Sequence, residues 1–273
     1  VNLAWQMAQI YRRRGQLETA VTYYQDCVSA QVHEEQIYGF LGDCFFALQR
    51  WALASDAYSQ ALAYGTNHPP ERYYQLGLAF VKQGRPMEAV AAYRRVLEKQ
   101  PDNFELSMEL ADVYTELGWS AIAAKTYQDA IASGRSSATI YLKLGSVLRD
   151  QEKWSDAALA YGRAIALAPQ SSDLRAALAK IYDKQGAIAD AIDTYKEALV
   201  LDPKPTWVWT RLAELYVKDE DWYGVVTTYA AAIVHHPQLL QQCHEAWAKG
   251  YRELGQLENN GTLYEQAVEQ VPQ

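Results

Sequence analysis

One pattern returns eight times along this chain at a spacing of 34 residues, and nothing else in the sequence restricts the fold so tightly. Its clearest copy reads Tyr73-x2-Leu76-Gly77-x2-Phe80, followed by Gly84, Ala89, Tyr93 and Pro101. The Leu position is Met7, Leu41, Leu76, Leu110, Leu144, Leu178, Leu212 and Trp247 in turn. A small residue always follows it: Ala8, Gly42, Gly77, Ala111, Gly145, Ala179, Ala213 and Ala248. The late aromatic is tyrosine in every copy: Tyr24, Tyr58, Tyr93, Tyr127, Tyr161, Tyr195, Tyr229 and Tyr264. Single-residue slips near Pro69 and Leu240 keep all the copies in phase.

Each copy reads as two amphipathic helices joined by a short turn. Gly15, Gly84, Gly118, Gly186 and Gly255 mark the turn, where a helix stops and reverses. The small residue on the first helix, and Ala20, Ala54, Ala89, Ala123, Ala157 and Ala191 on the second, allow close approach of the pair. Pro101, Pro169, Pro203, Pro237 and Pro272 end the second helix by withholding an N–H. Trp51, Trp154 and Trp222 share a framework position after the turn, and Trp209 and Trp247 fall on core positions. Most of the aromatic richness is therefore packing rather than a cofactor box.

This pattern resembles the tetratricopeptide repeat family over essentially the whole chain. The copies run over 1–34, 35–68, 70–103, 104–137, 138–171, 172–205, 206–239 and 241–273. The resemblance implies an all-α fold, a right-handed α-solenoid (superhelix) of antiparallel helix pairs whose first helices line a concave groove. A single superhelical domain over 1–273 is expected, as part of a longer chain. Departures sit in the last copy, where Asn260 and Gly261 replace small apolar residues, and in copy seven, where Val225 replaces Ala.

Composition removes several functions. A net charge of −8 without long runs of one sign speaks against nucleic acid, whose binding rests on Lys and Arg neutralising phosphates. No apolar run approaches a membrane span. The start at Val1 reads as the edge of a longer or processed chain, so the compartment stays open. Cys27, Cys44 and Cys243 form no CxxC pair, and Cys27 stands where other copies carry Ala, as a small buried thiol would. No catalytic or phosphate-cradling motif is present, and no cofactor is expected. His235-His236-Pro237 with His244 is the nearest approach to a metal cluster, and Asn260-Gly261-Thr262 is formally a glycosylation sequon. Neither has supporting context, and the chain reads as a non-enzyme.

Groove residues are those that the framework leaves unexplained. Trp5, Phe40 and Tyr74 place one aromatic on each of three successive first helices, with Gln9, Asp43 and Gln75 beside them. Grouped aromatics on a wet face are expected to anchor a ligand. Glu105, Glu109, Asp112 and Glu116 fall at i, i+4, i+7 and i+11, four carboxylates along one helix stripe suited to a basic segment or a cation. Later copies turn mixed-to-basic, with Lys180 and Arg211 on the stripe and Asp183 and Glu214 among them. One subset of the resembled family clamps chaperone C-terminal carboxylates with Lys, Asn and Arg. Its positions in the first three copies here hold Trp5, Gln9, Phe40, Glu71 and Gln75, which does not fit that specificity. The function expected is a protein-interaction scaffold that holds a peptide or protein segment in the groove, in an adaptor or assembly role. The alternatives are the targeting arm of a larger enzyme, a cation binder at the acidic stripe, and self-association.

Overall fold

The computed structural model describes residues 2–30, 34–64 and 68–258. These residues form α-helices and one 3-10 turn, and no strand occurs among them. Tyr264, Pro272 and the Asn260–Thr262 sequon lie outside the described residues, as does the side chain of His244.

Two compact units divide the chain, Val1–Ala130 and Ile131–Gln273. In the first unit, α1 (Asn2–Arg13) pairs with α2 (Leu17–Ser29), α3 (Glu35–Ala47) with α4 (Trp51–Ala63), and α5 (Pro70–Gln83) with α6 (Pro86–Lys99). α7 (Phe104–Glu116) and α8 (Ser120–Ala132) follow. In the second, α9 (Ala138–Asp150) pairs with α10 (Trp154–Leu167), α11 (Ser172–Gln185) with α12 (Ile188–Leu201), and α13 (Thr206–Lys218) with α14 (Trp222–His235). A 3-10 turn at Pro237–Leu239 leads into α15 (Leu240–Glu258). Each pair also packs on the next within its unit, α2 on α3 and α4 on α5, α10 on α11 and α12 on α13. The fold is all-α and built from tandem helix pairs.

Local chemistry explains the boundaries. Asn103, Ser137, Ser171 and Asp221 cap α7, α9, α11 and α14, each side-chain oxygen accepting a backbone N–H three residues on, at 2.9–3.3 Å. Pro70 and Pro86 stand at the first helical position, where a missing N–H costs nothing. Gly15, Gly84, Gly118 and Gly186 take positive φ at the turns. The equivalent turns of copies two, five and seven instead hold Gln49, Glu152 and Glu220 at φ 57–59°. The chain thus accepts a left-handed residue with a Cβ where the packing on either side fixes the reversal. Gly255 is no turn at all. It lies inside α15, where one glycine's helix penalty of about 1 kcal/mol is outweighed by burial of its neighbour Leu254.

Packing follows the period. Tyr24, Tyr58, Tyr93, Tyr127, Tyr161, Tyr195 and Tyr229 are all buried, as are Trp209, Trp247 and the three cysteines. Where the small residue of the first helix is glycine, the tyrosine of the same copy lies against it: a Cβ added at Gly42 would come within 2.5 Å of the Tyr58 ring, and one at Gly145 within 3.1 Å of Tyr161. At copy seven Val225 is fully buried, and Gly250 on α15 faces it.

Candidate functional site

Each buried tyrosine brings a hydroxyl into the interior, and a hydroxyl without a partner there is costly. In four copies the first helix answers from a position fifteen residues earlier. Gln9 Nε2 donates to the Tyr24 hydroxyl at 2.9 Å, Tyr58 donates to Asp43 Oδ1 at 3.0 Å, and Tyr127 donates to Asp112 Oδ1 at 2.7 Å. Ser146 and Tyr161 share a hydrogen bond at 3.1 Å. Burial pushes the phenol of Tyr24 up to about 12 and moves those of Tyr58 and Tyr127 upward too, helped by their aspartates. Gln9, Asp43 and Asp112 therefore hold the repeat together. Asp43 is further occupied by Gln75 Nε2 at 3.0 Å and by Arg72 at 3.6 Å.

The aromatic row divides. Trp5 and Phe40 are half-buried rather than wet: both rings lie on Tyr24, at 5.8 and 6.3 Å, and on each other at 5.8 Å. The Arg12 guanidinium covers Phe40 at 4.2 Å. Tyr74 packs instead on Tyr93 at 5.9 Å, and its hydroxyl donates to Glu109 Oε1 at 3.0 Å.

The acidic stripe also divides. Asp112 and Glu109 serve tyrosines, whereas Glu105 and Glu116 are exposed. Glu109 has a second oxygen, Oε2, which is buried and without a hydrogen-bond partner. It borders a recess of about 250 Å³ between α5, α6 and α7, lined among others by Glu71, Tyr74, Asn103, Glu105 and Glu109. No Lys or Arg forms an ion pair with Glu71, Glu105 or Glu109 among the described residues. No group of three His, Cys, Asp or Glu side chains suited to a metal occurs among them either. His235 stacks on Trp209 at 5.8 Å and His236 Nε2 meets the Pro203 carbonyl at 3.0 Å, so both are spent on packing.

Lys180 and Arg211 converge in the second unit, on a pocket of about 780 Å³. Arg211 reaches the buried Asp183 carboxylate through Nε at 2.8 Å and Nη2 at 2.5 Å, and Glu214 through Nη1 at 2.6 Å. Those hydrogen bonds push the Arg211 pKa up. Lys180 Nζ lies over the Trp207 ring at 3.9 Å, and Trp207 is 42% exposed. Tyr195 lines the same pocket with its hydroxyl buried and unpartnered. Trp207 escaped the sequence reading although it stands three periods after Glu105, on the stripe itself, and Tyr195 did so because it is a framework tyrosine. A signal was present all the same: the residue fifteen before Tyr195 is Lys180, where Gln9, Asp43, Asp112 and Ser146 serve four other copies.

No helix among the described residues is long and apolar enough to cross a membrane. A family model for the tetratricopeptide repeat matches residues 6–70, 74–141 and 142–204. The general transcriptional corepressor trfA of Dictyostelium discoideum is 30% identical over 106 residues, which is 38% of this chain and 8% of that protein. The chain thus spans less than a tenth of that relative. The C-terminal part of a repeat-containing protein from Cytophaga hutchinsonii superposes with a TM-score of 0.70 at 12% identity, over 85% of this chain and 95% of that one. YrrB, described as a repeat protein with an unusual peptide-binding site, gives 0.56 at 18% identity, over 71% and 99%.

Proposed function

Starting from a chain that belongs to the tetratricopeptide repeat family, and is on that ground a protein-interaction scaffold, we propose that its first unit holds a basic segment of a partner. The segment's Lys or Arg side chain enters the recess between α5 and α7 and meets Glu109 Oε2 and Glu105. One observation carries the reading: three carboxylates, Glu71, Glu105 and Glu109, border a recess in which no cation pairs with them among the described residues. Glu109 is half-buried with its Oε2 unmatched, which costs stability, and a basic side chain offsets that loss with charge-assisted hydrogen bonds. Tyr74 fixes Glu109 by its hydrogen bond, so the carboxylate is oriented before the ligand arrives. Lys and Arg stems are apolar, and Val96 and Leu106 line the recess where such a stem would lie. Trp5 and Phe40, half-buried on the first helices of copies one and two, extend the surface for the rest of the segment. The chain acts by holding its partner in an adaptor role, not by transforming it.

Fluorescence anisotropy tests this with two amidated peptides, one alternating Lys with Ala and Leu, the other carrying Gln for each Lys. The Lys peptide should bind in a salt-sensitive manner, and the combined Glu105→Gln and Glu109→Gln change should weaken it about tenfold. Glu245→Gln, an exposed acid on α15, should leave it unchanged. Equal binding of both peptides, or full affinity in the Glu105/Glu109 variant, would remove the recess as the site.

A further inference from the structure

We propose that the pocket of the second unit binds a carboxylate, seated between the Tyr195 hydroxyl and the Lys180 ammonium. The repeat supplies the reason. Tyr58 and Tyr127 each donate to an aspartate oxygen fifteen residues earlier in the chain. Tyr195 keeps the same buried ring, at 0% exposure, but the residue fifteen earlier is Lys180. An ammonium offers only donors, so it cannot accept from the phenol as Asp43 and Asp112 do. Lys180 instead lies over the Trp207 ring at 3.9 Å, and the Tyr195 hydroxyl has no hydrogen-bond partner. An incoming carboxylate supplies the missing acceptor and gives Lys180 a counter-ion in the same step.

Two cations in the pocket are open to a ligand of that sign. Arg149, Lys180, Lys184 and Arg211 line the pocket with Asp150, Glu152, Asp183 and Glu214. Arg211 is bound by Asp183 and Glu214, and Arg149 by Asp150 at 2.8 Å. The eight charges balance, since Arg211 faces two carboxylates, but neither Lys180 nor Lys184 forms an ion pair among the described residues, so both ammonium groups are open to an anion. Trp154, Ile181 and Trp207 provide apolar surface beside them, and about 780 Å³ accommodates a side chain with its flanking backbone. The hydroxyl lies beneath the pocket surface, with the Trp207 ring packed on Tyr195 at 6.2 Å, so the ligand reaches it as the side chains above it move aside. An acidic side chain and a free chain end both present this chemistry.

The inference uses the scaffold reading only in choosing peptides as ligands. It concerns a different pocket and the opposite charge, so the two fail independently. The test follows the Trp207 indole N–H by NMR in the full chain, assigned with Trp207→Phe. Three N-acetylated pentapeptides serve as probes at millimolar concentration: one amidated with a central Glu, one neutral with a free C-terminus, one neutral and amidated. A saturable shift from the first or second, but not the third, supports the site, and which of the two binds identifies the source of the carboxylate. Tyr195→Phe should weaken that binding about tenfold or more, the loss of one hydrogen bond to a charged group. Lys180→Asp restores an acceptor within the chain; it should abolish binding and raise the thermal midpoint. Glu105→Gln should alter neither. Equal shifts from all three probes, no shift from any, unchanged affinity in Tyr195→Phe, or wild-type binding by Lys180→Asp would each overturn the assignment.

Discussion

Tyrosine hydroxyls, identical in chemistry from copy to copy, meet different partners, and the difference separates framework from site. Tyr127 donates to Asp112 at 2.7 Å, while Tyr195 has nothing to meet. Tyr127→Phe should therefore lower stability by about 0.5–1.5 kcal/mol, since it removes a satisfied bond to a half-buried carboxylate. Tyr195→Phe should be neutral or stabilising, because the group it removes is already unsatisfied. Thermal unfolding of the two variants side by side checks this, and a larger loss in Tyr195→Phe would contradict it. The rings were legible in the sequence because phase alone places them on the core. Their hydroxyl partners were not, since the fifteen-residue relation belongs to the packing of one helix on another. For that reason Gln9, Asp43 and Asp112, which looked free on a polar stripe, turn out to be occupied within the repeat.

Helices and turns were the most readable level, because an eightfold pattern corrects for any single irregular copy. The first helices of copies two to seven start at Glu35, Pro70, Phe104, Ala138, Ser172 and Thr206, following the period and its one slip. Gln49, Glu152 and Glu220 escaped notice at their turns because the left-handed conformation there is imposed by context and not by residue type. Packing between elements shows how one departure from the pattern is accommodated. Val225 fills space where other copies have Ala, and a Cβ on Gly250 would come within 3.0 Å of it. Gly250→Ala should destabilise by about 1 kcal/mol or more through overpacking. Adding Val225→Ala should recover most of that loss, whereas Val225→Ala alone leaves a small cavity and destabilises. Additive losses in this double-mutant cycle would show that the two positions are not coupled.

Across the molecule, the buried tyrosines set the alkaline limit. Burial raises the pKa of Tyr24 in the first unit and Tyr229 in the second from 10.0 to about 12. A group whose pKa is higher when folded contributes its full stability below the unfolded value and loses it as pH rises through the folded one. Stability should thus hold up to pH 10 and fall between 10 and 12, with phenolate absorbance growing in step with the loss of helical circular dichroism. Phenolate appearing well before the helix signal falls would refute that linkage. The same scale carries the functional claim, since a scaffold is defined by what it holds. Charge reversal tests it most directly: Glu105→Lys against the Lys peptide and against its counterpart with Glu for each Lys. The account predicts that the variant loses the Lys peptide and gains the Glu peptide, each by about tenfold. A Glu105→Lys chain that binds both peptides as the wild type does would contradict it.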